Sequence, residues 1–120
     1  MTVSDSIEGR HILVVEDDFL IGHDFAAALG DLGVNVLGPV GSVDDALDLL
    51  EETTDIDGAV LDLNLGGELS YPIADALAER GIPFVFTTGY DKAAIAARYS
   101  GVISCEKPVV ISEVVQALLK

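Results

Sequence analysis

Ala59-Val60-Leu61-Asp62-Leu63-Asn64-Leu65, running into Gly66-Gly67, is the stretch from which the rest of the chain can be read. A short apolar run of this kind reads as a strand of a parallel sheet, buried on both faces. A carboxylate in the middle of such a strand would be an unpaired buried charge, which is costly. Where the run meets the Gly66-Gly67 turn, Asp62 stands instead at the carboxyl end of the strand. That is the end at which open α/β sheets hold their ligands. The alternative is an Asp that merely ends a strand and caps a loop, and the flanking sequence separates the two.

Upstream, His11-Ile12-Leu13-Val14-Val15 reads as a first strand that stops at Glu16-Asp17-Asp18. From Phe19 to Leu32 apolar residues recur at helical spacing (Phe19, Leu20, Phe25, Ala28, Leu29, Leu32), and Gly33 closes the helix. Val34 to Val40 is a second strand with Gly38-Pro39 marking its end; Ser42 or Asp44 caps a second helix to about Glu52. Downstream, Pro72 fits the first turn of a third helix ending at Arg80-Gly81. Pro83-Phe84-Val85-Phe86 is a fourth strand followed by Thr87-Thr88-Gly89, and Asp91 opens a short Ala-rich fourth helix to about Arg98. Val102 to Cys105 is a fifth strand and Ile111 to Leu119 a fifth helix. Residues 1–9 read as a disordered lead and residues 10–120 as one domain. Strands alternating with helices imply an α/β fold: a five-stranded parallel doubly wound sheet, flavodoxin-like, of order 2-1-3-4-5, with five helices.

Composition bounds the function. Half of the 120 residues are hydrophobic, which suits a globular core. Six basic against 21 acidic side chains give a net charge of -15, so nucleic acid is repelled as a partner. No apolar run approaches the roughly 20 residues of a membrane span, and the polar, acidic start is unlike a signal peptide. The single cysteine, Cys105, excludes an internal disulfide and suits a reducing, cytoplasmic location.

If the first and third strands are neighbours, Glu16, Asp17 and Asp62 converge in one crevice. Like charges that close do not all stay ionised without a partner. Mg²⁺ is the natural one, since it takes oxygen ligands from one or two carboxylates and keeps several waters. Asp18 is free to cap the helix that follows. Asp62 then reads as a nucleophile toward a phosphoryl group, with Lys107 as a mobile cation and Thr88 as a hydroxyl donor.

The ordered set Glu16-Asp17, Asp62, Thr88-Gly89 and Lys107-Pro108, each after its strand, resembles the receiver domain of two-component response regulators over residues 10–120. The resemblance implies that Asp62 accepts a phosphoryl group from a sensor histidine kinase or phosphotransferase. It implies Mg²⁺ held by Glu16, Asp17, Asp62 and the backbone carbonyl of Asn64. Thr88 matches the switch hydroxyl and Lys107 the family lysine, whose bond to Pro108 is usually cis. Receivers usually carry Tyr or Phe three residues before that lysine, and here the position is Ser104. Pro83-Phe84-Val85-Phe86-Thr87-Thr88-Gly89-Tyr90 also resembles, in part, the signature of the FATGUY single-domain receivers, which lack that aromatic; Thr87 and Asp91-Lys92 depart from it.

The function expected is a phosphoacceptor switch in a phosphorelay, not an enzyme of turnover, with output through a further protein or through phosphoryl transfer. A fifth helix reaching Lys120 suggests a stand-alone receiver; a receiver excised from a larger regulator and a degenerate interaction module are the alternatives. A dehalogenase-type phosphatase also uses an Asp nucleophile, but it wants a second acid two residues on, where this chain has Asn64.

Overall fold

The apolar run around Asp62 lies at the centre of the sheet. The computed structural model describes residues 7–89 and 95–119. In chain order the elements are β1 (His11–Val15), α1 (Phe19–Asp31), β2 (Asn35–Val40), α2 (Val43–Glu52), β3 (Gly58–Asp62), β4 (Asn64–Leu65) and β5 (Glu68–Leu69). They continue with α3 (Tyr71–Glu79), β6 (Phe84–Thr88), a 3₁₀ turn (Ala97–Tyr99), β7 (Ser104–Glu106) and α4 (Ile111–Leu118). The main sheet has the order β2-β1-β3-β6-β7 with every pair parallel, which is the doubly wound order expected.

All five residues of β3 are buried, because both faces of the sheet are covered. Strand alternation divides the core in two. Leu13, Val15, Ala59, Leu61 and Phe86 pack with Ala46 and Leu50 of α2 and with Ile73 and Leu77 of α3. Ile12, Val14, Val60, Val85 and Cys105 pack with Leu29 of α1 and with Val114, Val115 and Leu118 of α4. The strands thus run through the middle, and their carboxyl ends emerge together at one edge.

The helix starts follow local chemistry. Asp18 Oδ1 accepts from the Ile21 N–H at 3.0 Å and caps α1. At α2 the cap is Ser42, whose Oγ accepts from the Asp45 N–H at 3.1 Å. Asp44 lies instead in the first turn, where its charge complements the helix dipole.

β2 reaches Val40 as expected, passing through a cis Gly38-Pro39 bond and a register shift opposite Leu13–Val15. Gly38 has φ +98°, and a Cβ there would lie 2.7 Å from the Val14 carbonyl oxygen, so only glycine lets the two backbones approach this closely. The Gly66-Gly67 turn is the tip of the antiparallel β4–β5 hairpin. Several expectations need correction. Phe19 and Leu20, assigned to the buried stripe of the first helix, are 80% and 69% exposed, because the helix makes its buried contacts later, at Gly22 and Leu29. Of the expected lead, residues 1–6 lie outside the described residues, but Ile7 is fully buried and the Gly9 N–H donates to the Gly33 carbonyl at 2.8 Å. The packed body therefore begins by Ile7 instead of Arg10. The fourth expected helix falls largely on residues 90–94, outside the described residues; beyond them the chain forms the 3₁₀ turn.

Phe86 is fully buried at the heart of the first core, in edge-on contact with Phe84, Tyr71 and Tyr99. Replacing it by Ala removes a ring that cannot be refilled locally. The expected loss is about 3–5 kcal/mol of unfolding free energy, read by chemical denaturation.

Candidate functional site

Glu16, Asp62 and Lys107 form the centre of the site. β1 ends at Val15 and β3 at Asp62, and their adjacent, parallel register sets Glu16 and Asp62 side by side at the carboxyl edge. Both carboxylates are buried, at 8% and 5% exposure. The Lys107 ammonium lies between them, 2.9 Å from Glu16 Oε1 and 2.8 Å from Asp62 Oδ2. The remaining oxygens are also engaged: Glu16 Oε2 accepts from the Asp18 N–H at 3.0 Å, and Asp62 Oδ1 from the Asn64 N–H at 3.2 Å.

Lys107 reaches this position because β7 pairs with β6 and because its own N–H donates to the Thr88 carbonyl at 2.9 Å. A cis bond to Pro108 follows, as the family resemblance implies. Burial pushes the Lys107 amine down, but its hydrogen bonds to Asp62 and Glu16 outweigh that effect and hold its pKa above the ordinary lysine range.

The third acid, Asp17, is exposed at the rim. Oxygens of Glu16, Asp17 and Asp62 all lie within 4.8 Å of one another, a span that one cation could bridge. Gly66, at φ +62°, sits against Asp17, and a Cβ there would stand 3.4 Å from Asp17 Oδ2. These acids line a cleft of about 670 Å³ together with Asp18, Asn64, Thr88 and Lys107. Glu16, Asp17, Asp62, Asn64, Thr88 and Lys107, singled out in the sequence, therefore meet in one place. An all-oxygen set with two buried carboxylates, open to water on the Asp17 side, fits Mg²⁺. Lys107 pairs two of the three acids and so partly relieves the repulsion expected between them.

Thr88 is buried and Thr87 lies in register opposite Asp62, with the Thr87 carbonyl accepting from the Leu63 N–H at 2.9 Å. The sequence reading missed the apolar rim of the cleft. Ile21 in the first turn of α1 and Leu69 on the hairpin line the cleft and are exposed. The signal was present in the placement of Ile21 shortly after the cap residue, where a helix has not yet reached the core.

Two other features lack this convergence. A groove of about 870 Å³ between α2 and α3 contains Arg80, but its guanidinium is bonded to the Leu50 and Thr53 carbonyls at 2.7 and 2.9 Å. His11, Asp55 and Asp57 cluster at the amino-terminal end of the strands, where Asp57 Oδ2 accepts from the His11 N–H at 2.8 Å and ties the loop before β3 to β1.

SdrG from Sphingomonas melonis Fr1, in a solution structure, is 37% identical over the whole of both chains and superposes with a TM-score of 0.80. The chain belongs to the receiver domains of response regulators. The BeF₃-activated conformation of SdrG, from Pseudomonas melonis Fr1, is 39% identical over 92% of this receiver and 96% of that chain, with a TM-score of 0.78. A response regulator receiver protein from Sinorhizobium medicae WSM419 is 25% identical over 93% of this receiver and 95% of that chain, with a TM-score of 0.78. No protein-family model and no curated protein matches the sequence. No helix among the described residues is long and apolar enough to cross a membrane.

Removing the lysine isolates its contribution. Lys107→Met leaves two buried carboxylates unpaired, and the expected loss in EDTA is about 2–3 kcal/mol. Millimolar Mg²⁺ should restore much of it, so the variant should show a larger Mg²⁺-induced rise in melting temperature than wild type. The sign of the pH dependence follows from the raised folded pKa. The Lys107 contribution is complete below the unfolded lysine value of about 10.4 and is lost only as pH climbs through the higher folded value. The stability gap between wild type and Lys107→Met that is due to the lysine charge should therefore persist through neutral and mildly alkaline pH and close only in strong alkali.

Proposed function

We propose that this receiver is a phosphoacceptor switch that takes a phosphoryl group on Asp62 from a sensor histidine kinase or phosphotransferase, with Mg²⁺ as cofactor. The observation that carries the reading is the placement of Lys107 between Glu16 and Asp62, with Asp17 within metal-bridging distance. A capping Asp would need neither the lysine nor the second buried acid.

In this reading one Asp62 oxygen forms the bond to phosphorus while the donor's P–N bond breaks and its imidazole nitrogen departs with the electron pair. Mg²⁺, held by Glu16, Asp17, Asp62 and the Asn64 carbonyl, would supply charge neutralisation for the phosphoryl oxygens. Lys107 is released from Asp62 Oδ2 as that oxygen's charge falls and turns to a phosphoryl oxygen. The Thr88 hydroxyl donates to another. The Asn64 N–H on Asp62 Oδ1 fixes the carboxylate's orientation before attack.

The donor is proposed to be a protein because exposed apolar side chains, Ile21 and Leu69, line the cleft, a surface that a small donor would not need. A cytoplasmic location fits a chain whose single cysteine, Cys105, is buried. Output would pass to a downstream protein or, by phosphoryl transfer, onward.

Acetyl phosphate with Mg²⁺ should add one phosphoryl group, seen by intact mass, and EDTA or Asp62→Asn should abolish it. Labelling that survives Asp62→Asn would place the acceptor elsewhere.

A further inference from the structure

In receivers of the usual pattern a large aromatic on the last strand responds to the switch hydroxyl, and here that strand carries Ser104. Its side-chain oxygen is buried, with no hydrogen-bond partner among the described residues. Beside it is a cavity of about 280 Å³ lined by Ile95, Tyr99, Ser100, Val102 and Ser104. The ring nearest this space is Tyr99, which comes from the 3₁₀ turn and not from the strand.

Tyr99 is tied to α3 and packs against β6. Its hydroxyl donates to Asp75 Oδ1. Arg98, its neighbour, donates to both oxygens of Asp75 at 3.3 and 3.2 Å. The Tyr99 ring stacks on Tyr71 at 5.7 Å and meets Phe84 and Phe86 edge-on at 5.8 Å. The Arg98 guanidinium lies over both tyrosine rings, 5.2 Å from Tyr71 and 5.0 Å from Tyr99. The Ala96 N–H donates to the Tyr71 hydroxyl at 2.7 Å. Although Asp75 is exposed, its hydrogen bonds to Tyr99 first and Arg98 second hold its carboxyl below the usual range, so it is charged in this contact.

The two sides of this contact are the two chain segments that leave the phosphoacceptor edge. From Asp62 the chain runs through the β4–β5 hairpin directly into Tyr71 and α3. From Thr88 it runs toward Ile95 and the 3₁₀ turn. Tyr99 on one segment and Asp75 and Tyr71 on the other thus form a contact between the two segments. We propose that Tyr99, clasped by Asp75 and Tyr71, is a latch that holds the unphosphorylated conformation, and that activation at Asp62 must open it, with the cavity beside Ser104 as the space into which the ring can move.

The inference rests on Asp62 being the phosphoacceptor, and linkage supplies its test. If opening the latch is part of activation, weakening it must tighten binding of an activating ligand by the same factor. The probe is beryllofluoride titrated at saturating Mg²⁺, read by NMR, on wild type, Tyr99→Phe and Asp75→Asn. Tyr99→Phe keeps the ring, and Asp75→Asn changes an exposed side chain, so the second decides if the first folds poorly. Leu50→Ala, a core truncation outside the contact, controls for general destabilisation. The expected result is beryllofluoride affinity higher by about fivefold or more in both latch variants, the lower end of typical coupling between sites, and unchanged in Leu50→Ala. Unchanged or weaker affinity in the latch variants, whatever their melting temperatures, makes the contact merely structural and overturns the latch. Failure of wild type to bind beryllofluoride overturns the Asp62 reading and the latch with it, and is distinguished by occurring before any variant is compared.

Discussion

The interaction on which the site depends is the Lys107 ammonium between Glu16 and Asp62. Two carboxylates buried to below a tenth of their surface cannot be held side by side without a counter-charge. In this receiver the last strand of the sheet provides it. The pairing of β7 with β6 and the Lys107 N–H to the Thr88 carbonyl deliver the amine from the opposite end of the sequence. The charge is mobile, since an amine on a flexible stem can leave one oxygen for another without disturbing the strand. A guanidinium would bind a carboxylate more rigidly and exchange less readily.

The rest of the fold makes that arrangement possible. Parallel strands covered on both faces put every strand end with the same polarity at one edge. β1 and β3 bring the acids, β6 the hydroxyls and β7 the lysine. The apolar bulk below, with Phe86 and Leu61 on one side of the sheet and Val60 and Val85 on the other, fixes the spacing of these ends to within a hydrogen bond. Burial also excludes water from Glu16 and Asp62 while leaving Asp17 at the rim, so the site is open on one side only.

Ser104 leaves β7 without an aromatic ring. With no ring on β7, the aromatic layer on that side is assembled from Tyr71 on α3, Phe84 and Phe86 on β6, and Tyr99 on the 3₁₀ turn. Aromatic contacts of this kind are worth somewhat more than their buried area, about 0.5–1.5 kcal/mol each. The Tyr71–Tyr99 pair lies between α3 and the 3₁₀ turn, where local opening is cheaper than disruption of the sheet.

Much of this was legible from the residues alone. The apolar run ending in Asp62, the strand-end acids and the helix caps are local patterns, and they carry the parallel sheet because covered parallel strands must be apolar on both faces; its order followed from the common arrangement of five-stranded doubly wound sheets. The motif set Glu16-Asp17, Asp62, Thr88 and Lys107 was likewise visible, since each member follows its own strand. The three-dimensional arrangement decided what depends on distant partners. Phe19 and Leu20 share the helical spacing of Phe25 and Leu29, yet only the packing of α1 shows that the first pair lies beyond the core. Ile7 looked like part of a polar lead until the chain folded back over it. Lys107 was a named cation in the sequence, but its bridging of two acids required β6 and β7 to pair. The Tyr99–Asp75 contact had no signal at all in the sequence, because it joins residues 24 apart on elements whose meeting is set by the sheet between them.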